Sequence, residues 1–239
     1  WGFLDWLHAG GVPTQVEDNG KHFGTRGAIS LVRFLTAQAR EVGARFMLGA
    51  TVVEARKDGD AFVVATDAGT VRAASLVLAL GGQSWPGLGA TDFGYTLARG
   101  FGLEITPLRP GLTPLLAGPD LAEMCRELSG VSLPVRLTGP CEAAGSLLFT
   151  HKGISGPAVL DASLFWRSGP IAIDFLPGVD LEAALAEAPR LEIKNALARL
   201  LPKRLAVAVC DKLGLAGPVA GLSQKARLEL AQKLAAFPF

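Results

Sequence analysis

The run Ser75-Leu76-Val77-Leu78-Ala79-Leu80-Gly81-Gly82-Gln83-Ser84-Trp85-Pro86-Gly87-Leu88-Gly89-Ala90-Thr91-Asp92-Phe93-Gly94-Tyr95 decides the fold class. Residues 76–80 are unbroken apolar, the pattern of a strand covered on both faces, as in a parallel sheet. Gly81 and Gly82 stop the run. Lacking a Cβ, they let another backbone or a flat cofactor come close. Thr91 or Asp92 is placed to cap a following helix, because a short oxygen side chain accepts the free N–H groups of a first turn. The same helix start attracts an anion such as a pyrophosphate. The alternative is a tight strand-to-helix turn with no ligand.

Working outward, residues 92–101 read as that helix and 103–106 as a strand. Upstream, residues 27–42 carry Ile29, Val32, Leu35, Ala39 and Val42 at spacings of three and four, an amphipathic helix closed by Gly43. Residues 44–48 then read as a strand. Residues 51–56, 61–66 and 71–73 are short β segments joined by Asp58-Gly59 and Ala68-Gly69, a three-strand meander leading into 76–80. Residues 1–7 form an apolar helix end or docking segment. Residues 12–23 are polar and turn-rich, with a turn signal at Asn19-Gly20.

At Pro107 the texture changes: Pro107, Pro110 and Pro114 mark a linker. Beyond it, 131–138, 146–150 and 170–175 read as strands, and 119–128 and 155–166 as helices. Residues 181–236 read as all-helical, with Ser223 capping the last helix. That stretch holds nine Lys/Arg against five Asp/Glu, a net of +4, which leaves −3 for the rest of a chain whose total is +1. Without interleaved aromatics this reads as a solvated face rather than a nucleic-acid surface.

The 239 residues suffice for a buried core, and 49% hydrophobic with 19% charged residues places the chain among globular proteins. A near-neutral charge gives no general attraction to nucleic acid or acidic lipid. No run of 18 apolar residues suggests a membrane span. Cys125, Cys141 and Cys210 are odd in number and far apart, as expected of free thiols in a reducing cytoplasm. With His8, His22 and His151 equally scattered, no zinc-site spacing exists and no metal is expected.

Two constellations carry chemistry. The order helix, strand, meander, buried strand, Gly-Gly matches the middle of a two-dinucleotide-binding flavoprotein by fold analogy, with Val52 and Val53 where a strand backbone meets an adenine. Gly87-x-Gly89-x-x-Asp92 is the nearest approach to G-x-G-x-x-G and lacks the third glycine, so a complete dinucleotide site is not encoded. The second is Gly145-Ser146-Leu147-Leu148-Phe149-Thr150-His151-Lys152-Gly153-Ile154-Ser155-Gly156-Pro157-Ala158. Here a strand ends in Thr-His-Lys-Gly and Ser-Gly-Pro opens a helix, with Ser155 as a cap and Pro157 in the first turn. Hydroxyl, imidazole, ammonium and backbone N–H groups together suit an anionic or carbonyl ligand. His151 is a candidate acid or base. The alternative is a well-capped turn with exposed His and Lys.

Together these stretches resemble the BaiN/YhiN-type NAD(P)/FAD-dependent oxidoreductases. Leu78-Ala79-Leu80-Gly81-Gly82-x-Ser84-x-Pro86-x-x-Gly89-Ala90-Thr91-x-x-Gly94-Tyr95 resembles that family's return strand and loop. Leu108-x-Pro110-x-Leu112-x-Pro114-Leu115 resembles its proline-rich crossover. Leu147-Leu148-Phe149-Thr150-His151-x-Gly153-Ile154-Ser155-Gly156-Pro157 is the most specific match. Asn195-x-Leu197 and Leu201-Pro202-Lys203-Arg204-Leu205 resemble its helical subdomain.

The resemblance implies an α/β chain, α+β overall. Residues 1–106 would be the middle of an FAD domain with its meander, 107–178 a β-rich insert and 179–239 a helical subdomain. It implies a fragment lacking the N-terminal G-x-G-x-x-G and the C-terminal segment over the flavin. FAD in the full-length parent, with NAD(P)H as electron donor, is the implied cofactor set, with weak or absent FAD binding in this fragment. The chain also reads Thr91-Asp92-Phe93-Gly94 where many relatives have Thr-Gly-Asp-Gly.

The implied reaction passes hydride between nicotinamide, flavin and an organic substrate such as an enone. Val52, Val53, Ala79, Gly81, Gly82, Gly89, Thr91 and Asp92 are the candidate cofactor residues. Thr150, Lys152 and Ser155 are the candidate substrate residues, and His151 the catalytic one. A small-molecule substrate, no nucleic acid and no membrane are the expected partners. The competing reading is a non-catalytic structural or substrate-binding module, inactive without the missing segments.

Overall fold

A computed structural model describes residues 2–17 and 20–239. The turn expected at Asn19 lies outside the described residues. The chain divides into two compact units, one ending at Glu104 and the other running Ile105–Phe239.

In the first unit, α1 (Gly2–Ala9) is followed by the hairpin β1 (Thr14–Val16) and β2 (His22–Gly24), then α2 (Ala28–Glu41). Trp6 of α1 rests on Phe34 of α2, with ring centroids 4.7 Å apart. Gly43 follows α2 at φ +83 and donates to the Arg40 carbonyl, the left-handed ending its lack of a Cβ allows. The expected meander is present: β3 (Val52–Asp58), β4 (Ala61–Thr66) and β5 (Gly69–Ala73) pair antiparallel in sequence order, with an irregularity between Val52 and Glu54. α3 (Phe93–Gly100) follows, and its flank meets the meander through an edge-on contact of Phe101 with Phe62.

Three strands expected from sequence do not form. Residues 44–48, 76–80 and 103–106 have no strand geometry, and every strand pair among the described residues is antiparallel. The reason is physical: a strand exists only through its neighbours' hydrogen bonds, and no described strand flanks these runs. Val77 is 83% exposed and Leu48 84%. The Ile29–Val32–Leu35 face of α2 is exposed as well. Among the described residues, this unit fully buries the apolar side chains of Leu7, Val12 and Ala98 alone.

The second unit carries the core. β6 (Leu115–Leu116) and α4 (Pro119–Glu127) lead into the long hairpin β7 (Ser132–Thr138) and β8 (Ala143–Thr150), then β9 (Gly153–Ser155), α5 (Pro157–Phe165) and β10 (Ala172–Asp174). Helices α6 (Leu181–Ala186), α7 (Ile193–Leu197), α8 (Lys203–Leu213) and α9 (Gln224–Ala235) follow, and β11 (Phe237–Pro238) closes the chain back onto β10. The sheet order is β11-β10-β7-β8-β9-β6.

Period-2 burial sets its inner face: Leu133, Val135 and Leu137 of β7 are buried while Ser132, Pro134 and Arg136 are exposed. One core cluster joins these strands to Leu185, Leu197, Leu205, Val209, Leu230 and Leu234 of the helices. The β-rich stretch 107–178 and the helices 179–239, expected as separate pieces, therefore share a core. Ser223 caps α9 as expected, accepting from the Ala226 N–H at 3.1 Å. The chain is α+β.

Candidate functional site

The cofactor candidates all lie in the first unit and the substrate and catalytic candidates in the second, so each set is described on its own unit.

In the first unit, Ala79, Gly81, Gly82, Gly89, Thr91 and Asp92 lie along one loop between the meander and α3. No backbone N–H or C=O of residues 76–84 forms a hydrogen bond among the described residues. Gly81 sits at φ +73 with open space where a Cβ would be, and Gly89 at φ +85 ends a short 3-10 turn. A Cβ at Gly82 would lie 2.8 Å from the Tyr95 hydroxyl, the free end of a side chain. Leu80 packs in the same way over Gly94.

The capping expectation divides between two residues. The Thr91 hydroxyl accepts from the Phe93 N–H at 3.3 Å, whereas the Asp92 side chain makes no cap hydrogen bond. Val52 and Val53 lie at the start of β3, with Val53 66% exposed. No hydrogen bond among the described residues joins them to the loop. Unpaired backbone groups, small residues and an exposed apolar run fit the edge of a flavin. The pyrophosphate-binding glycine pattern is not in the sequence.

In the second unit, Thr150 ends β8, His151 and Lys152 form the turn to β9, and Ser155 ends β9, paired with Leu148. The Thr150 hydroxyl donates to the Gly153 carbonyl at 3.1 Å, which closes the turn. His151 and Lys152 are exposed, and neither side chain has a hydrogen-bond partner among the described residues. Ser155 does not cap α5: the cap position is Gly156, with no side-chain hydrogen bond.

The two glycines of this motif have a packing role that the spacing did not reveal. Gly156 adopts φ 96 and ψ 163, and a Cβ there would lie 2.6 Å from the Ser146 carbonyl oxygen. A Cβ on Gly153 would overlap the Leu115 carbonyl oxygen. Both let β9 be clasped between β6 and β8.

A cavity of about 400 Å³ has Pro110, Pro114 and Leu115 of the proline-rich motif in its wall. β6 links it to β9: Leu115 and Leu116 pair with Ile154 and Gly153, and both line the cavity. Its walls come from three distant segments, with Arg109 and Thr113 on the first, Ser163, Trp166 and Arg167 at the end of α5, and Phe239 at the chain's last position. The buried Ser163 hydroxyl accepts from the Thr113 N–H at 3.0 Å and donates to the Leu160 carbonyl at 2.7 Å, tying the first wall to the second. Trp166 donates its ring N–H to the Gly169 carbonyl. Arg109 is exposed and has no hydrogen bond or ion pair among the described residues. Leu112, between these wall residues, adopts φ 54, a strained backbone for a leucine. A largely apolar wall with Trp166 and Phe239, and with Arg109 free among the described residues while Arg167 donates to the Leu164 and Trp166 carbonyls, suits a flat molecule that carries an anionic group.

His8, Thr14 and His22, scattered in sequence, also meet. The Thr14 hydroxyl lies 2.8 Å from His8 Nε2 and 3.3 Å from His22 Nδ1. Pairing of Thr14 with Gly24 and of Val16 with His22 in the β1–β2 hairpin brings them together. No group of three or more His, Cys, Asp or Glu suited to a metal occurs among the described residues. No helix there is long and apolar enough to cross a membrane.

Residues 109–239 match the family model described as the HI0933-like protein barrel and H2TH domain. A ribosomal RNA dihydrouridine synthase of Escherichia coli K12 is 38% identical over 86% of this chain and 53% of its own length. A protein of the same name from Haemophilus influenzae is 35% identical over 86% of this chain and 54% of its own. A 3-dehydro-bile acid delta(4,6)-reductase of Clostridium scindens is 25% identical over 74% of this chain and 48% of its own. The chain thus spans about half the length of the curated relatives it matches.

Proposed function

Since the chain belongs to the HI0933-like family, we propose that it is part of a BaiN/YhiN-type FAD-dependent oxidoreductase that reduces a carbon–carbon double bond conjugated to a carbonyl, its substrate a uracil ring in ribosomal RNA. The observation that carries this reading is the 38% identity across 86% of the chain to a protein named for making dihydrouridine in ribosomal RNA. The more distant relative, named as a bile-acid reductase, points to the same chemistry on another skeleton. In uracil the C5–C6 double bond is conjugated to the C4 carbonyl. Reduction adds a hydride at C6 and a proton at C5, and the C4 oxygen carries the charge in between.

Ala79, Gly81, Gly82, Gly89, Thr91 and Asp92, with Val52 and Val53, are the residues of this chain that would hold FAD. When bound, the flavin supplies the hydride, drawn in turn from NAD(P)H. The second unit's residues handle the ring. Trp166 offers a face for it to stack on, and Arg109 and Arg167 offer charge to the flanking phosphates. Thr150 and Ser155 orient the substrate from the β8–β9 turn. His151 gives the proton that completes reduction, and the Lys152 ammonium steadies the developing negative oxygen.

A small-molecule enone is the second reading, favoured by the bile-acid reductase relative and by the apolar part of the cavity wall. One comparison separates the two. Ribosomal RNA from a strain lacking the gene is digested to nucleosides and analysed by mass spectrometry. Loss of a dihydrouridine that returns on complementation is the expected result. An unchanged dihydrouridine content would remove the RNA substrate and leave the small-molecule reading.

A further inference from the structure

The sequence motif that the reaction leaves unused is Asn195-x-Leu197 with Leu201-Pro202-Lys203-Arg204-Leu205. In the structure it forms the α7–α8 hairpin. Ile193, Ala196 and Leu197 of α7, then Leu201, Leu205, Ala206 and Val209, are buried in the shared core. That packing fixes which side of each helix faces water. Between Ile193 and Cys210 the chain has four cations, Lys194, Arg199, Lys203 and Arg204, and no Asp or Glu.

Arg204 is committed to structure. Its guanidinium donates to the Glu127 carbonyl and, at 3.1 Å, to the Ser129 carbonyl, closing the C-terminal end of α4. Lys194, Arg199 and Lys203 are exposed, and none has a hydrogen bond or ion pair among the described residues. Elsewhere on this unit cations do meet acids, as in Arg126–Glu123 and Lys225–Glu229. Glu192 is the N-cap of α7, and Glu127 and Asp211 share a groove with Lys203 and Arg204. Asp211 belongs to the far end of α8.

We propose that this hairpin is a contact surface for the phosphate backbone of the RNA substrate, with Lys194, Arg199 and Lys203 as the contacting groups. The proposal rests on the RNA reading above. The charge pattern asks for a polyanion, and the RNA reading says which one. A face meant only for solubility mixes both signs along its length, whereas here four cations run between Glu192 and Asp211 with no acid among them. Rigid seating on the core suits phosphate contacts, which set the position of a nucleic acid and leave sequence to be read elsewhere.

The test uses the intact protein and a triple variant, Lys194→Gln with Arg199→Gln and Lys203→Gln. The probe is ribosomal RNA transcribed in vitro, bound in filter assays from ~50 to ~200 mM salt. Three lost phosphate contacts lower the slope of log affinity against log salt by about two, and weaken binding at least ~10-fold at the lower end. A matched control, Lys225→Gln with Lys233→Gln on α9, keeps the wild-type slope. Thermal unfolding of the triple variant at the wild-type temperature shows that the fold is intact. Wild-type binding with an unchanged slope in the triple variant would overturn the surface while leaving the RNA reading standing. A wild-type protein that retains no ribosomal RNA at ~50 mM salt would overturn both.

Discussion

Substitution of Gly156 by alanine tests whether the Gly153-Ile154-Ser155-Gly156-Pro157 run is held by packing. The backbone at Gly156, φ 96 and ψ 163, belongs to a region open essentially to glycine alone. Forcing another residue there costs about 1–3 kcal/mol. The added Cβ would also lie 2.6 Å from the Ser146 carbonyl oxygen and 2.9 Å from the Leu148 nitrogen. Both belong to β8, in the middle of the sheet, and neither is the free end of a flexible side chain. Such overpacking adds about 1–3 kcal/mol. The sum, about 2–6 kcal/mol, corresponds to a Tm lower by roughly 6–24 °C at about 3–4 °C per kcal/mol for a unit of this size. Gly178→Ala is the control. Its φ is +79 but no atom lies within 4 Å of the new Cβ, so it costs about 1 kcal/mol. Urea and thermal unfolding followed by circular dichroism measure both. A Gly156→Ala protein no less stable than Gly178→Ala would refute the packing argument.

The remaining expectations concern other parts of the chain. His151→Ala, at an exposed turn, leaves unfolding unchanged within about 0.5 kcal/mol and lowers turnover of the full enzyme by about 100-fold, measured by steady-state kinetics; unchanged turnover would remove the proton-donor role. Hydrogen bonding from Arg72, and then its charge, hold Asp58 below the usual carboxylate range. Its small, exposed contribution to stability is therefore present at neutral pH and is lost as pH falls through that lowered value. Arg72→Gln moves the Asp58 titration upward in carboxyl NMR. Burial raises the Cys125, Cys141 and Cys210 thiols above 9.0. The unfolded chain then ionises first as pH rises, so stability falls on the alkaline side, and a thiol reagent reacts slowly until the protein unfolds. Limited proteolysis of the 239-residue chain cleaves first before residue 105, because the core cluster lies wholly in Ile105–Phe239.

Much of the second unit was legible because its signals are local. Alternation in residues 131–138 and the glycine and proline at the start of α5 are settled within a few residues. The meander followed from Asp58-Gly59 and Ala68-Gly69 in the same way. Residues 76–80 show the limit. Their apolar run specifies a strand only if neighbours exist to pair with it, and composition cannot report a neighbour. Gly82 shows another: the Tyr95 hydroxyl, thirteen residues on, lies close to where its Cβ would be, a neighbour that only the fold reveals. The proline-rich motif supplied one wall of the cavity, but Ser163, Trp166 and Phe239 share no motif with it and meet it only through the fold. The net positive charge of the helices could be counted from sequence and was read there as a solvated face, with no nucleic acid expected; the proposed RNA contact along α7 and α8 departs from that reading.

The central claim is reduction of a conjugated double bond in ribosomal RNA. The most direct measurement incubates the complete enzyme, FAD and NAD(P)H with ribosomal RNA from a strain lacking the gene, then counts dihydrouridine by nucleoside mass spectrometry. Uridine gaining two hydrogens at a defined position, with matching consumption of NAD(P)H, is the expected result. Nicotinamide oxidised with no dihydrouridine formed would contradict it.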